Sequence, residues 1–142
     1  MKTYGYAAQF EPGDDPGIIV VTFPDVPEAI TEGEGMSDAR LQAADALGTA
    51  LLAYIRMGRA LPEPKATGET ISPPSDITAK LAVLEAFAEA GISRSELARR
   101  IGKDEKEARR ILDPMHPTKL AMLEQALAAL GRRLVIGVEK AA

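Results

Sequence analysis

The chain has 142 residues, of which 46% are hydrophobic and 27% are charged, an ordinary balance for a globular protein. It contains no cysteine, which excludes disulfides and a zinc site with cysteine ligands, and no apolar run reaches the length of a membrane span. The net charge of −4 argues against uniform non-specific binding to nucleic acid. Residues 1–75 carry five basic and eleven acidic residues, whereas residues 76–142 carry twelve and ten, which suggests two modules with different partners. We expect a cytoplasmic protein.

Residues 1–60 predict a small α+β domain with an antiparallel sheet and one helix. Strands are predicted in KTYGYAAQF and IIVVTF, and the turn EPGDDPG between them indicates a hairpin. IIVVTF is apolar throughout and is expected to be a central, buried strand, with a short third strand at Ala29–Gly33. Ser37 is expected to cap a helix that runs to about Arg59. The apolar positions of this helix recur at spacings of three and four, at Ala43, Ala44, Leu47, Leu51, Tyr54 and Ile55.

Residues 61–75 are expected to form a linker, because four prolines and Gly68 exclude a helix here. The segment Glu69–Ser72 could supply a fourth strand to the first domain. Residues 76–142 then predict helices, one capped by Asp76 and another that starts at Thr118. The run RLVIGV at residues 133–138 is strand-like but has no obvious partner in its own half. It either pairs, for example with its own copy in a dimer, or forms a frayed tail.

The stretch ISRSELARRIGKDEKEARRIL, residues 92–112, has the features of two short helices joined by a tight turn. Ser93 with Glu96, and Asp104 with Glu107, each form a capping box, and Gly102 between them allows a positive φ. The inward positions of the two helices are Leu97, Ala98, Ile101, Ala108, Ile111 and Leu112. This is the layout of a helix-turn-helix domain.

The outward positions of this stretch are mostly basic, which favours DNA binding. A helix fits the major groove, where Arg and Lys reach guanine edges. The base-reading candidates are Glu105, Lys106, Arg109 and Arg110. The phosphate candidates are Arg94, Ser95, Arg99, Arg100, Lys103, Thr118 and Lys119. The alternative is a helical bundle with a solvated basic face. Because Pro114 keeps the second helix short, a homodimer or higher even oligomer reading a palindrome is expected.

The sequence SELARRIGKDEKEARRIL resembles the helix-turn-helix of Xre/Cro-type repressors, from which it departs at Lys103. FPDVPEAITEGEGMSDARLQAADAL resembles the D-x-P-x-x-x-T-x-G motif and helix of the HicB antitoxin family. It departs from the family after the motif proline, where Glu28 and Ala29 replace a Gly-Cys pair. Together these features cover nearly the whole chain in the order of HicB antitoxins with an added Xre-like domain.

This resemblance implies a truncated RNase H-like first domain that has lost catalysis and binds HicA, a small RNA-cleaving toxin. The toxin contacts that it suggests are Phe23, Asp25, Glu32 and Glu34. The second domain would repress the operon's own promoter. An acidic first domain would suit a basic, RNA-cutting partner.

Catalysis is not expected from the residues themselves. Metal-dependent phosphodiester cleavage needs several carboxylates that converge on two ions, and no acidic residue falls within IIVVTF. His116, the only histidine, lies in a loop between Pro114 and Pro117. We therefore expect no catalytic residue, no metal and no cofactor. Two rival hypotheses remain, a repressor whose first domain senses a small ligand and a weak nuclease.

Overall fold

The chain is an α+β protein, as the sequence predicts. A computed structural model describes residues 1–141 and divides the chain into two compact units, Met1–Thr78 and Ala79–Ala142. The first unit holds an antiparallel sheet and one long helix, and the second holds short helices. The division falls inside a helix, a few residues after the proline-rich segment.

The first unit contains four strands and a helix: β1 (Tyr6–Pro12), β2 (Ile18–Thr22), β3 (Ile30–Glu34), α1 (Gly35–Arg56) and β4 (Glu69–Ile71). All pairings are antiparallel, in the order β3-β2-β1-β4. The predicted hairpin, third strand and fourth strand are therefore confirmed. Because β4 lies within residues 61–75, part of the expected linker belongs to the sheet.

The helices of the second unit are α2 (Ser75–Ala90), which begins in the first unit, α3 (Arg94–Ile101), α4 (Glu105–Ile111) and α5 (Leu120–Ala129). They pack around one core, formed by Ala79, Val83, Ala86, Leu97, Ile111, Leu123, Ala126, Leu127 and Leu130. Helix α5 begins two residues after the predicted Thr118, with Lys119 as its N-cap.

Helix α1 starts earlier than the sequence predicts, and Ser37 is not its cap. The N-cap is Glu34, whose own backbone N–H donates a 2.9 Å hydrogen bond to the carboxylate of Asp38. Asp38, an acidic residue in the first turn, therefore favours the helix start through its charge and also satisfies a backbone donor there. The strand β3 runs directly into α1, so no loop residue is left to act as a cap.

Gly33 fixes how closely α1 approaches the sheet. A Cβ atom at this position would lie 2.5 Å from the backbone nitrogen of Ala39 and 2.6 Å from its Cα atom. Both atoms belong to the backbone of α1, so neither can move aside without shifting the helix. Gly33 therefore faces α1. Because side chains alternate along a strand, Thr31 lies on the same face of β3.

Replacing Gly33 by alanine is expected to destabilise the first unit by about 1–3 kcal/mol, because the helix must move away from the sheet. The matched control is Gly137→Ala, where an added Cβ atom meets nothing within 4 Å. Urea denaturation followed by circular dichroism measures both variants. Equal stability of the two variants would contradict this account of the close approach.

The strand β2 is central, as predicted, but it is buried on one face only. Val21 is fully buried, whereas Ile18, Ile19 and Val20 are half-buried. Within residues 1–141, α1 is the helix of the first unit that packs on the sheet, and it covers one face. An unbroken apolar run predicts burial on both faces, and the structure corrects this part of the prediction.

The terminal strand expected at residues 133–138 is not formed. Residues 132–141 have no regular secondary structure, and Val135, Ile136 and Val138 are exposed. A strand exists only when a neighbour completes its hydrogen bonds, and the tail pairs with no other segment among the described residues. The single chain therefore carries an unpaired apolar tail.

Candidate nucleic-acid interface

The helices α3 and α4 begin and end as their sequence predicts. Ser93 Oγ accepts a 3.0 Å hydrogen bond from the backbone N–H of Glu96, and Asp104 Oδ1 accepts one of 2.8 Å from that of Glu107. Gly102 ends α3 with a φ of 66°, in the left-handed region that favours glycine. Residues 102–104 therefore form a short connection between two capped helices.

The side chains between α3 and α4 are apolar and fully enclosed. Leu97, Ala108 and Ile111 have no exposed surface, and Ala98 is buried where the sequence predicts a small residue. Each fully buried Leu or Ile side chain stabilises the fold by roughly 1.5–3 kcal/mol. The predicted inward face of α3 and α4 is therefore confirmed. The outward side chains of the two helices do not belong to the core.

A buried lysine holds the end of α4, a feature that the sequence analysis missed. Lys80 of α2 is 2% exposed. Its ammonium donates to the backbone oxygens of Arg110 (3.2 Å), Ile111 (2.7 Å) and Asp113 (3.2 Å), and to Oγ1 of Thr118 (2.7 Å). Burial lowers the pKa of Lys80 to about 8, against an opposing effect of the Asp113 carboxylate. The C-terminal carbonyls of α4 are thus bound to a cation from a neighbouring helix.

A signal for Lys80 was present in the sequence. It lies three residues after Ile77 and four before Leu84, so it shares the apolar stripe of α2. A charged residue on such a stripe needs buried acceptors, which the last turn of α4 supplies.

Two of the candidate phosphate contacts are held by Glu96. Its carboxylate accepts hydrogen bonds from Nε of Arg99 (2.9 Å) and Nε of Arg100 (3.1 Å), and these bonds lower the pKa of Glu96 to about 2. Arg100 also donates to the backbone oxygen of Ala129 at 3.2 Å, which links α3 to the last turn of α5. Both arginines are exposed, and they share the single negative charge of Glu96.

Glu105, at the start of α4, lies against the start of α3. Its carboxylate accepts a 3.4 Å hydrogen bond from Ser95 Oγ and lies 3.7 Å from Nη2 of Arg94. These contacts bring three candidate residues together at one place and reduce the negative charge that Glu105 would present to a phosphate. Glu105 and Ser95 therefore have partners inside the chain already.

Two of the cations without an internal partner lie on α4. No ion pair or hydrogen bond within residues 1–141 engages the side chains of Lys103, Lys106, Arg109 or Lys119, and all four are exposed. Lys106 and Arg109 are three residues apart and share one face of α4. Arg110 is also exposed, with its Nη1 atom 3.6 Å from the Glu107 carboxylate. The outward face of α4 thus presents two free cations and one weakly paired one.

Thr118 differs from the other phosphate candidates because its hydroxyl is occupied. It accepts from Lys80 and donates to the backbone oxygen of His116 at 3.4 Å. This side chain supports the segment between α4 and α5. The exposed Lys119 beside it remains available to a ligand.

The four toxin-contact candidates divide into two structural and two exposed residues. Phe23 is 1% exposed and belongs to the core, so it offers no surface to a partner. Asp25 Oδ2 accepts hydrogen bonds from the backbone N–H groups of Lys65 (2.9 Å) and Ala66 (2.8 Å), which ties down the proline-rich segment. Glu32 and Glu34 are exposed on β3.

Glu28 and Ala29, the pair at which the sequence departs from the family motif, have structural partners. Ala29 is buried, and Glu28 accepts a 2.7 Å hydrogen bond from the hydroxyl of Tyr54. This bond lowers the pKa of Glu28 and raises that of Tyr54. Arg59 lies over the Tyr54 ring, 4.3 Å from its centroid. The residues after the motif proline therefore fasten the loop to the end of α1.

Over residues 1–141, His, Asp and Glu side chains form no group of three that could hold a metal ion. Over the same residues, no helix combines the length and the apolar character that a membrane crossing requires.

The comparisons with known proteins agree with the resemblance to the HicB antitoxin family. Residues 5–87 match the family model described as the HicB_like antitoxin of bacterial toxin-antitoxin systems. Antitoxin HicB 1 of Photorhabdus laumondii is 33% identical over 140 residues, which cover 98% of this chain and 90% of that protein. Antitoxin HicB 2 of the same organism is 38% identical over 134 residues, covering 94% and 95%. Antitoxin HicB of Escherichia coli K12 is 36% identical over 132 residues, covering 91% and 95%.

The family model covers more than half of the chain, and the relatives match it over nearly its full length and theirs. The chain belongs to the HicB-like antitoxin family of bacterial toxin-antitoxin systems.

Proposed function

We propose that the chain neutralises a HicA-like, mRNA-cleaving toxin by direct binding and represses its own operon by binding promoter DNA. The observation that carries this proposal is the separation of charge between the two units. Residues 1–78 hold five basic and twelve acidic residues, a net charge of −7, and residues 79–142 hold twelve basic and nine acidic residues, a net charge of +3. One unit is suited to a basic protein and the other to DNA.

The DNA-binding half of the proposal rests on α4. In a Xre/Cro-like helix-turn-helix, the second helix enters the major groove, where Lys106, Arg109 and Arg110 would meet base edges. Arg94, Arg99, Arg100, Lys103 and Lys119 would contact phosphates along the flanks. The internal partners of Arg99 and Arg100 reduce their expected share of the affinity.

The tail supports a dimer or a higher even oligomer. Val135, Ile136 and Val138 are exposed, and their backbone groups pair with nothing in the described chain. Pairing with the same segment of a second copy would satisfy these groups and join two second units. Two copies of α4 could then read a palindrome.

The toxin-binding half needs no chemistry from this chain. Covering the active site of an RNA-cleaving protein is sufficient to stop it, and an acidic surface competes with RNA for a basic groove. The chain therefore acts by binding alone.

The test uses cells that express the toxin encoded by the neighbouring gene. The full chain is expected to restore growth and to repress a reporter fused to the operon's promoter. Persistent growth arrest in the presence of soluble antitoxin would contradict the first activity. A fully active reporter would contradict the second.

A second candidate function, a repressor whose first unit senses a small ligand, draws on a groove between β3 and α1. This groove has a volume of about 420 Å³, and the residues that line it include Thr31, Asp45, Tyr54 and Met57. Thermal stabilisation of the chain by cell metabolites, with no rescue from the toxin, would favour this alternative.

A further inference from the structure

The face of the sheet opposite α1 has an apolar centre and an acidic rim. Because Gly33 faces α1, the neighbouring positions of β3 face away from it, namely Ile30, Glu32 and Glu34. Their cross-strand partners share this second face, and the pairs are Ile30 with Thr22, Glu32 with Val20, and Glu34 with Ile18. On the other side of β2, Val20 pairs with Glu11 of β1.

This face is accessible within the first unit. Ile30 is 64% exposed, and Ile18 and Val20 are only half-buried although they lie in a central strand. Glu11, Glu32 and Glu34 are all exposed. An exposed β-branched cluster in a central strand indicates a surface that a partner covers.

The charge of this face restricts the partner. The strands β1, β2 and β3 contain three carboxylates and no Lys or Arg. Nucleic acid would be repelled. A second copy of the same face would bring six carboxylates together, which is unfavourable for self-association. A protein that carries a basic patch with an apolar residue at its centre would complement both the acidic rim and the apolar centre of this face.

We propose that the toxin docks through a basic patch on this open sheet face, formed by Glu11, Ile18, Val20, Ile30, Glu32 and Glu34. This proposal rests on the proposed antitoxin function and names its binding surface. The carboxylates would replace the phosphates that the toxin's cations meet on RNA. Ile18, Val20 and Ile30 would supply the apolar contact at the centre.

The principal test is charge reversal on the face. In the full chain, Glu32→Lys with Glu34→Lys is expected to weaken binding of the toxin encoded by the neighbouring gene by roughly 30-fold or more at low salt. The matched control is Asp45→Lys with Glu63→Lys, which changes the net charge equally at two exposed positions outside the face. The control is expected to weaken binding by less than about threefold. Calorimetry with purified toxin measures both.

Two further variants keep the test independent of folding defects. Glu32→Gln with Glu34→Gln retains side-chain size and is expected to weaken binding by about tenfold, with a reduced dependence on salt. Ile30→Ala removes only apolar surface from an edge strand and is expected to weaken binding by roughly threefold to tenfold at any salt concentration.

The outcomes separate this proposal from the function on which it rests. If the unmodified chain fails to bind the toxin, both are overturned. If it binds and the face variants match the control, the function stands and this surface is wrong. A loss confined to the control pair would assign the toxin to the groove beside Asp45. If the face variants alter the sedimentation of the free chain but leave toxin affinity unchanged, the face joins two copies and the proposal fails.

Discussion

Replacing Lys106 and Arg109 together by alanine is expected to abolish specific promoter binding while leaving the fold and the toxin affinity intact. Each side chain is exposed and has no partner within the described residues, so its removal leaves no internal group unsatisfied. Each lost base contact should cost about 1–3 kcal/mol. Fluorescence anisotropy with a promoter duplex measures the loss.

The control for this pair is Lys65→Ala with Lys140→Ala, which removes the same charge from two exposed positions outside α4. It should lower affinity slightly, and to the same extent for promoter and scrambled duplexes. Equal losses for the two double variants would remove α4 as the reading helix. Lys103→Ala adds a second comparison. Loss of a phosphate contact should reduce the salt dependence of binding without changing the sequence preference.

Replacing Lys80 by methionine is expected to destabilise the second unit by about 2–5 kcal/mol. Methionine preserves much of the apolar stem but removes the ammonium group from which three backbone oxygens and the Thr118 hydroxyl accept hydrogen bonds. Lys106→Met, on the exposed face of α4, is the control and should have little effect. Urea denaturation compares the two variants. If they are equally stable, Lys80 does not hold the end of α4.

The pH dependence of stability provides an independent check on Lys80. Its folded pKa of about 8 lies below the ordinary value of 10.5. Between these values the unfolded chain retains a proton that the folded chain has lost, so the free energy of unfolding rises with pH. The unmodified chain should therefore gain stability relative to Lys80→Met between pH 7 and pH 9.5. A stability difference that stays constant over this range would show that Lys80 remains charged.

The helix boundaries of the second unit could be predicted because local chemistry determines them. Ser93, Asp104 and Gly102 act on backbone groups within a few residues, and all three behave as their sequence context predicts. The start of α1 could not be predicted in the same way. Glu34 is both the last residue of β3 and the cap of α1, so the pairing of the strand decides where the helix begins.

The features that escaped prediction depend on contacts between distant segments. The ammonium group of Lys80 donates to backbone oxygens about 30 residues away in the sequence. The role of this lysine can therefore be recognised only when α4 is packed beside α2. The apolar run of β2 indicates a central strand, but the number of layers that cover a sheet is not encoded in one strand. Phe23, just before the family motif, packs in the core, and Asp25, its first residue, holds the proline-rich segment, so position in the sequence alone does not separate support from contact.

Helix α4 is held in place on its inward side, which has a consequence for the divergence of toxin-antitoxin systems. Its position depends on Ala108, Ile111 and its own backbone oxygens, and its outward side chains take no part in the core. Substitutions at Lys106 and Arg109 are therefore nearly neutral for folding. Under the proposed DNA-binding role of α4, operator preference could change by successive single mutations, so duplicated loci in one genome could become insulated from each other without passing through an unstable intermediate.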